Sequence, residues 1–170
     1  RRGSLWYNAE KDMTVQTQDT GKAVSSVIAQ SWHRCSKFMQ RETWQTPHQA
    51  QGLTFDSICR RKTALLTIGQ AALEDAWEFM DGRPCALFIL DESACILSRC
   101  GEPQTLAQLA ALGFRDGSYC AESIIGTCAL SLAAMQGQPI NTAGDRHFKQ
   151  ALQPWSFCST PVFDNHGRLF

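Results

Sequence analysis

The chain has 170 residues, 44% hydrophobic and 19% charged, with 16 basic and 16 acidic side chains and a formal net charge of +0. This suits one globular domain plus an extension and excludes an intrinsically disordered chain. It gives no overall electrostatic drive toward nucleic acid or an anionic membrane. No apolar run reaches the roughly 18 residues that cross a bilayer, and the N-terminus has no signal-peptide core, so a cytoplasmic protein is expected.

Residues 1–22 are polar and without periodicity, and are read as a disordered tail or cloning remnant. From Val24 to Met39 apolar residues recur in steps of three and four (Val24, Val27, Ile28, Trp32, Cys35, Phe38), one face of a helix. Pro47 and Gly52 mark a linker, so residues 23–54 form an N-terminal helical segment ahead of a main domain at 55–170. A long helix is expected from Asp56 to Met80. One stripe runs through Leu66, Gly69, Leu73, Trp77 and Met80, another through Ile58, Leu65, Ala72 and Phe79. Two apolar stripes call for two packing partners, and a second subunit, hence a homodimer, is one reading.

Cys85–Leu90 and Ala94–Cys100, joined by Asp91-Glu92-Ser93, read as an antiparallel hairpin. Pro103–Leu112 reads as a helix that Gly113 follows, and Ala121–Gln136 as a single helix with Glu122 in its first turn and Gly137 closing it. Residues 139–142 suit a short strand, Asp145–Leu152 a short helix with Asp145 as N-cap, and Ser156–Phe163 a strand before the turn at Asp164–Gly167. The fold class is α+β, a mainly antiparallel sheet with helices packed on it.

Eight cysteines fall mostly inside apolar segments, as buried reduced thiols do. No Cys-x-x-Cys or His-x3-5-His occurs, and Cys95 and Cys100, an odd number apart on a strand, should face opposite ways. No metal site is therefore expected. The local signatures of P-loop nucleotide hydrolysis, dinucleotide binding, zinc proteolysis and serine esterase chemistry are missing.

Chemistry-bearing residues are dense between 113 and 167. Tyr119, Cys120, Glu122, Gly126, Thr127, Cys128, His147, Phe148 and Cys158, with Phe88 and Leu90 of the hairpin, are the candidate lining of a small-molecule pocket. Each also has an ordinary structural role open to it: close packing for Gly126, dipole complementation for Glu122, a helical first turn for His147, core for Tyr119 and Phe148.

The runs Gly117-Ser-Tyr-Cys-Ala-Glu122-Ser-Ile-Ile-Gly126-Thr127, Gly137-Gln-Pro-Ile, His147-Phe148 and Cys158-Ser-Thr-Pro161 through Gly167 resemble the GAF sensor domain of bacterial transcriptional activators of acetoin and glycerol catabolism. Ser31-Trp32-His33-Arg34-Cys35 is similar to the segment that precedes the domain in that family. Arg41–Gly52 and Ala64–Trp77 look most like the regulators of dihydroxyacetone kinase operons. The chain departs from the family at Tyr119, Cys120 and Ala121, where Trp then Ser is usual before the acid, and at Cys128, where Asn is usual. Those losses of polarity fit a domain that reads a protein partner.

The resemblance implies a non-enzymatic sensory region without a cofactor. Its ATPase and DNA-binding activities, and hence DNA and RNA polymerase as partners, belong to domains outside this sequence. It implies control by dihydroxyacetone kinase subunits, the ADP-binding one activating and the dihydroxyacetone-binding one antagonising, and a GAF domain incomplete at its C-terminal end. Trp32, Trp44 and Trp77 are the expected partner anchors. Two alternatives stand beside this reading. One is a GAF pocket that binds a small metabolite. The other is a GAF-fold methionine sulfoxide reductase in which Cys85, Cys95 and Cys120 converge.

Overall fold

In a computed structural model the protein is described over residues 26–80 and 82–169. The expected tail at 1–22 and the helix start at Val24 lie outside the described residues. Helix α1 spans residues 26–35 and ends in a turn in which the Phe38 and Met39 N–H groups donate to the Cys35 carbonyl. The long helix expected from Asp56 is two helices, α2 (Gly52–Arg61) and α3 (Thr63–Met80), broken at Lys62. Strands β1 (Ala86–Leu90) and β2 (Ile96–Gly101) form the antiparallel hairpin. Helix α4 (Pro103–Ala111) starts where the Glu102 carboxylate accepts from the Gln104 and Thr105 N–H groups. The capped first turn and Pro103 at its head explain why this boundary was readable.

The single helix expected at Ala121–Gln136 is also two, α5 (Glu122–Ile125) and α6 (Ala129–Gln136). Gly126 sits between them at φ 75 and ψ −159, a backbone conformation essentially reserved for glycine. Strand β3 (Ile140–Ala143) pairs antiparallel with β4 (Ser156–Ser159). The helix expected at Asp145–Leu152 is replaced by two 3-10 turns, Gly144–Arg146 and Gln150–Leu152. Asp145 lies inside the first turn and does not cap it, since Ala143 holds the N-cap position.

The hairpin divides the molecule. Phe88 and Leu90 of β1 and Ile96 of β2 join one core with α1, α4, α5, α6, β3 and β4, where Phe114, Ile125, Cys120 and Leu132 are fully buried. Ile89 of β1, Cys95 before β2 and Leu97 within it join a second core with Ile58 of α2 and Leu65 and Leu73 of α3. A bulge makes this partition. Ile89 pairs with Ser98 but Leu90 pairs with Ile96, leaving Leu97 unopposed. The extra residue inverts side-chain parity along β2, so the expectation that Cys95 and Cys100 face opposite ways is wrong. Cys95 packs in the α3-side core and the Cys100 thiol meets the Leu73 carbonyl of α3 at 3.8 Å.

Candidate functional site

The two most distinctive sequence segments, Ser31-Trp32-His33-Arg34-Cys35 and Glu122 to Thr127, meet in one buried polar joint. Glu122 projects from the first turn of α5 toward α1. Arg34 grips it with a two-pronged pair, Nε to Oε1 at 2.7 Å and Nη2 to Oε2 at 2.8 Å. The Ser31 hydroxyl donates to Oε2 at 2.8 Å and lies 2.7 Å from the Thr127 hydroxyl. The Cys35 thiol completes the cluster at 3.8 Å from the Thr127 hydroxyl. Burial alone would push the Glu122 carboxyl up, but the Arg34 guanidinium and the Ser31 hydroxyl outweigh it and hold the group below the usual carboxylate range. Such a carboxylate is charged at neutral pH and already holds three donors.

His147 lies behind this joint, fully buried, with Nδ1 3.3 Å from the Thr127 carbonyl and its ring edge-on to Phe157. Its Nε2 is buried without a partner. Burial pushes the imidazole below its ordinary pKa, against the pull of the Thr127, Trp155 and Thr142 carbonyls, so the ring is neutral at physiological pH. Phe148 packs edge-on against Trp32 at 5.3 Å. A Cβ at Gly126 would come within 3.3 Å of Phe148 Cβ.

A cavity of about 430 Å³ lies elsewhere, between β1 and β4, with α3 on one side and α4 and α6 on the other. Every residue from Cys85 to Asp91 and from Trp155 to Val162 borders it. A strand that offers one face contributes alternate residues; unbroken runs mean that both strands offer their edges. Among the described residues β1 pairs only with β2 and β4 only with β3. The polar lining therefore includes unpaired backbone N–H and C=O groups, which suit an extended chain segment better than a compact polyol.

The structure thus divides the expected pocket set. Phe88, Leu90 and Cys158 border the cavity. Glu122, Gly126, Thr127, His147 and Phe148 build the joint behind α1. Cys120 and Cys128 are fully buried in the main core, and Tyr119 is in neither place, packing against the α3-side core. Asp91 was not among the expected residues. It borders the cavity and accepts from the Ser93 and Cys95 N–H groups, each at 2.9 Å; Asp at the head of a hairpin turn was the signal for it.

The three tryptophans are partly buried. Trp32 Nε1 donates to the Arg146 carbonyl at 3.0 Å and Trp44 Nε1 to the Leu112 carbonyl at 3.2 Å, while Trp77 sits on α3. Cys95 and Cys120, two of the three thiols that the reductase reading needs, are fully buried. Burial pushes Cys95 up to about 12 and Cys120 well above its ordinary value, the reverse of what a nucleophilic thiolate requires.

A helix-flanked hairpin, a second antiparallel pair and the joint that ties α1 to the Glu122–Thr127 segment define a small α+β domain. The chain belongs to the GAF domain family, whose profile matches residues 64–170. It is 87% identical over 93% of its length to the glycerol metabolism operon regulatory protein of Citrobacter freundii. It is 69% identical over 88% of its length to the PTS-dependent dihydroxyacetone kinase operon regulatory protein of Escherichia coli K12. The acetoin dehydrogenase operon transcriptional activator AcoR of Bacillus subtilis is 24% identical over 84% of the chain. The chain spans about a quarter of the length of these relatives, 25%, 23% and 24% in turn. A solved structure described as the E. coli DhaR(N)-DhaL complex superposes with a TM-score of 0.83 at 71% identity, covering 84% of this chain and 49% of that one. No helix among the described residues is long and apolar enough to cross a membrane.

Proposed function

We propose that this chain is the sensory region of a cytoplasmic transcriptional activator of glycerol and dihydroxyacetone catabolism, and that it senses by docking subunits of dihydroxyacetone kinase. The observation that carries the reading is the near-identical fold, at 71% sequence identity, of a regulator solved in complex with DhaL. The site geometry supports it. Glu122, Thr127 and His147, the polar groups best suited to hold a small effector, are enclosed by α1 and by one another. The ADP-binding subunit activates and the dihydroxyacetone-binding subunit antagonises. Catalysis, ATP hydrolysis and DNA binding belong to other parts of the full-length protein. A homodimer forms along α3, where Ile68 and Phe79 share one helix face and are 66% and 87% exposed.

Calorimetric titration of the chain with each kinase subunit, ADP present, tests the reading. Saturable binding of the ADP-binding subunit is the expected result. Absence of binding by a folded chain, together with a thermal shift on dihydroxyacetone or glycerol, would replace it with the metabolite reading.

A further inference from the structure

The net charge of zero conceals an uneven surface. Three segments are stitched together around Trp32: the end of α1, the 37–43 loop and residues 144–149. Trp32 donates to the Arg146 carbonyl, and the Arg41 guanidinium lies 4.5 Å above the Trp32 ring. Lys149 Nζ donates to the carbonyls of Gln40 and Thr43 at 2.7 and 2.8 Å, and the Gln150 N–H donates to the Arg41 carbonyl at 3.0 Å. Five cations gather here: Arg34, Lys37, Arg41 and Arg146 are accessible beside Glu42 and Asp145, an excess of two positive charges, while Lys149 is buried, as is Glu122.

Of these five cations only Arg34 forms an ion pair among the described residues; the other three pairs, Lys62 with Glu92, Arg99 with Asp116 and Arg168 with Asp164, lie elsewhere. Arg41 rests on an indole, Arg146 on the Asn141 amide oxygen and Lys149 on backbone carbonyls. Lys37 has an ordinary reason to stand at a helix C-terminus. That reason does not reach Arg41 or Arg146. Phe38, 59% exposed, follows Lys37 in the same 37–43 loop that carries Arg41, on a turn fixed by the Cys35 carbonyl. An exposed aromatic ring among cations held in place before any encounter has the composition of a protein-docking centre. A nucleic-acid surface would need a larger uncompensated charge, without Glu42 and Asp145 inside it.

We infer that the face centred on Phe38 and bordered by Lys37, Arg41 and Arg146 docks an acidic protein surface that offers carboxylates to the cations and an apolar socket to the phenyl ring. This rests on the proposed function for the existence of a protein partner; it adds the place and the chemistry.

The test is a titration of the ADP-binding kinase subunit against the unmutated chain and three variants, at about 50 and about 300 mM salt. The Lys37→Glu/Arg146→Glu double variant changes exposed side chains and is expected to lose about ten-fold or more in affinity at low salt, with a flattened salt dependence. Phe38→Ala is expected to lose about ten-fold at both salts. Leu53→Ala, on α2 and 82% exposed, is expected to bind like the unmutated chain. Circular dichroism confirms that each variant is folded. If the unmutated chain binds and the double variant and Phe38→Ala bind equally well, the docking face is overturned while the proposed function stands. If the unmutated chain binds neither this subunit nor, in a parallel titration, the dihydroxyacetone-binding one, the proposed function falls and the face falls with it. Binding of duplex DNA by this face, lost in the double variant, would also overturn it.

Discussion

The two sides of the β1–β2 hairpin are built differently. On the α1 side a core of fully buried residues surrounds Phe114, Ile125 and Leu132, and at its edge Ser31, Arg34, Glu122 and Thr127 form a charged joint in which the carboxylate is buried and the Arg34 side chain stays 39% exposed. On the α3 side the helix has a single buried residue, Leu65, while Leu66, Gly69, Leu73, Trp77 and Met80 stay half-covered. The first side holds nearly all the residues that make the sequence recognisable. The second holds the most exposed large apolar side chains, Leu53, Ile68 and Phe79, while Phe38 stands exposed on the first. Distinctive residues here mark internal construction, and the surfaces available to partners lie beside them.

Truncation of one large side chain in each core tests that contrast most severely. Phe114→Ala should cost about 3–5 kcal/mol, because the ring is fully buried between Trp44 and Phe157 and its cavity cannot collapse. Trp77→Ala, on the half-covered face, should cost about 1–2 kcal/mol despite removing a larger ring. Urea unfolding monitored by circular dichroism reads both. Equal losses would show that α3 is packed as tightly as the main core.

The joint itself is tested by Glu122→Ala. It removes the acceptor of the Ser31 hydroxyl and of the Arg34 Nε and Nη2 groups, and should cost about 2–3 kcal/mol in the same assay. Because α1 is held there, protection of the α1 amides in hydrogen exchange should fall further than that of α3. Uniform loss across both helices would mean that the pair stabilises the whole domain and not the attachment of α1.

These contrasts also show what was legible in the sequence. The hairpin, α4 with Pro103 at its head, and Gly137 at the end of α6 were readable because local chemistry decides them. The break between α5 and α6 carried a signal, Gly126-Thr127, that helical apolar content overrode. The break at Lys62 carried none: no glycine or proline is there, and Lys62 turns to pair with Glu92 across the hairpin, a tertiary event. Pairing of Arg34 with Glu122 spans 88 positions, so the sequence could show two striking segments without showing that they satisfy each other. The cavity was invisible for the same reason, since it is formed by two strand edges, and edges have no side-chain pattern.

Acid should dismantle the α1 side in two steps. The folded-state pKa of His147 is depressed by burial. Its contribution is therefore complete above the unfolded value of about 6.5 and is lost as pH falls toward and through the folded value. The pKa of Glu122 is depressed by Arg34 and Ser31 against the opposing effect of burial, so its contribution is complete above about 4.3 and is lost at lower pH. Subtracting the stability–pH curve of His147→Asn from that of the parent should reveal the first step, and subtracting that of Glu122→Gln the second. If both differences are flat with pH, the two groups titrate in the folded protein as they do in the unfolded one.

The smallest expected effect lies on the α3 side, at Gly69. A Cβ there would stand 2.8 Å from Ile89 Cδ1 and 3.3 Å from its Cγ1. The obstacle is the tip of one flexible side chain at the edge of a half-covered core. Replacing a helical glycine with alanine gains about 1 kcal/mol of helix propensity, and pushing Ile89 off its rotamer costs about the same. Gly69→Ala should therefore change stability by less than about 0.5 kcal/mol in urea unfolding. A loss of 2 kcal/mol or more, on the scale of a core overpacking strain, would mean that Ile89 has nowhere to move and that the loosely built side of the hairpin is rigid after all.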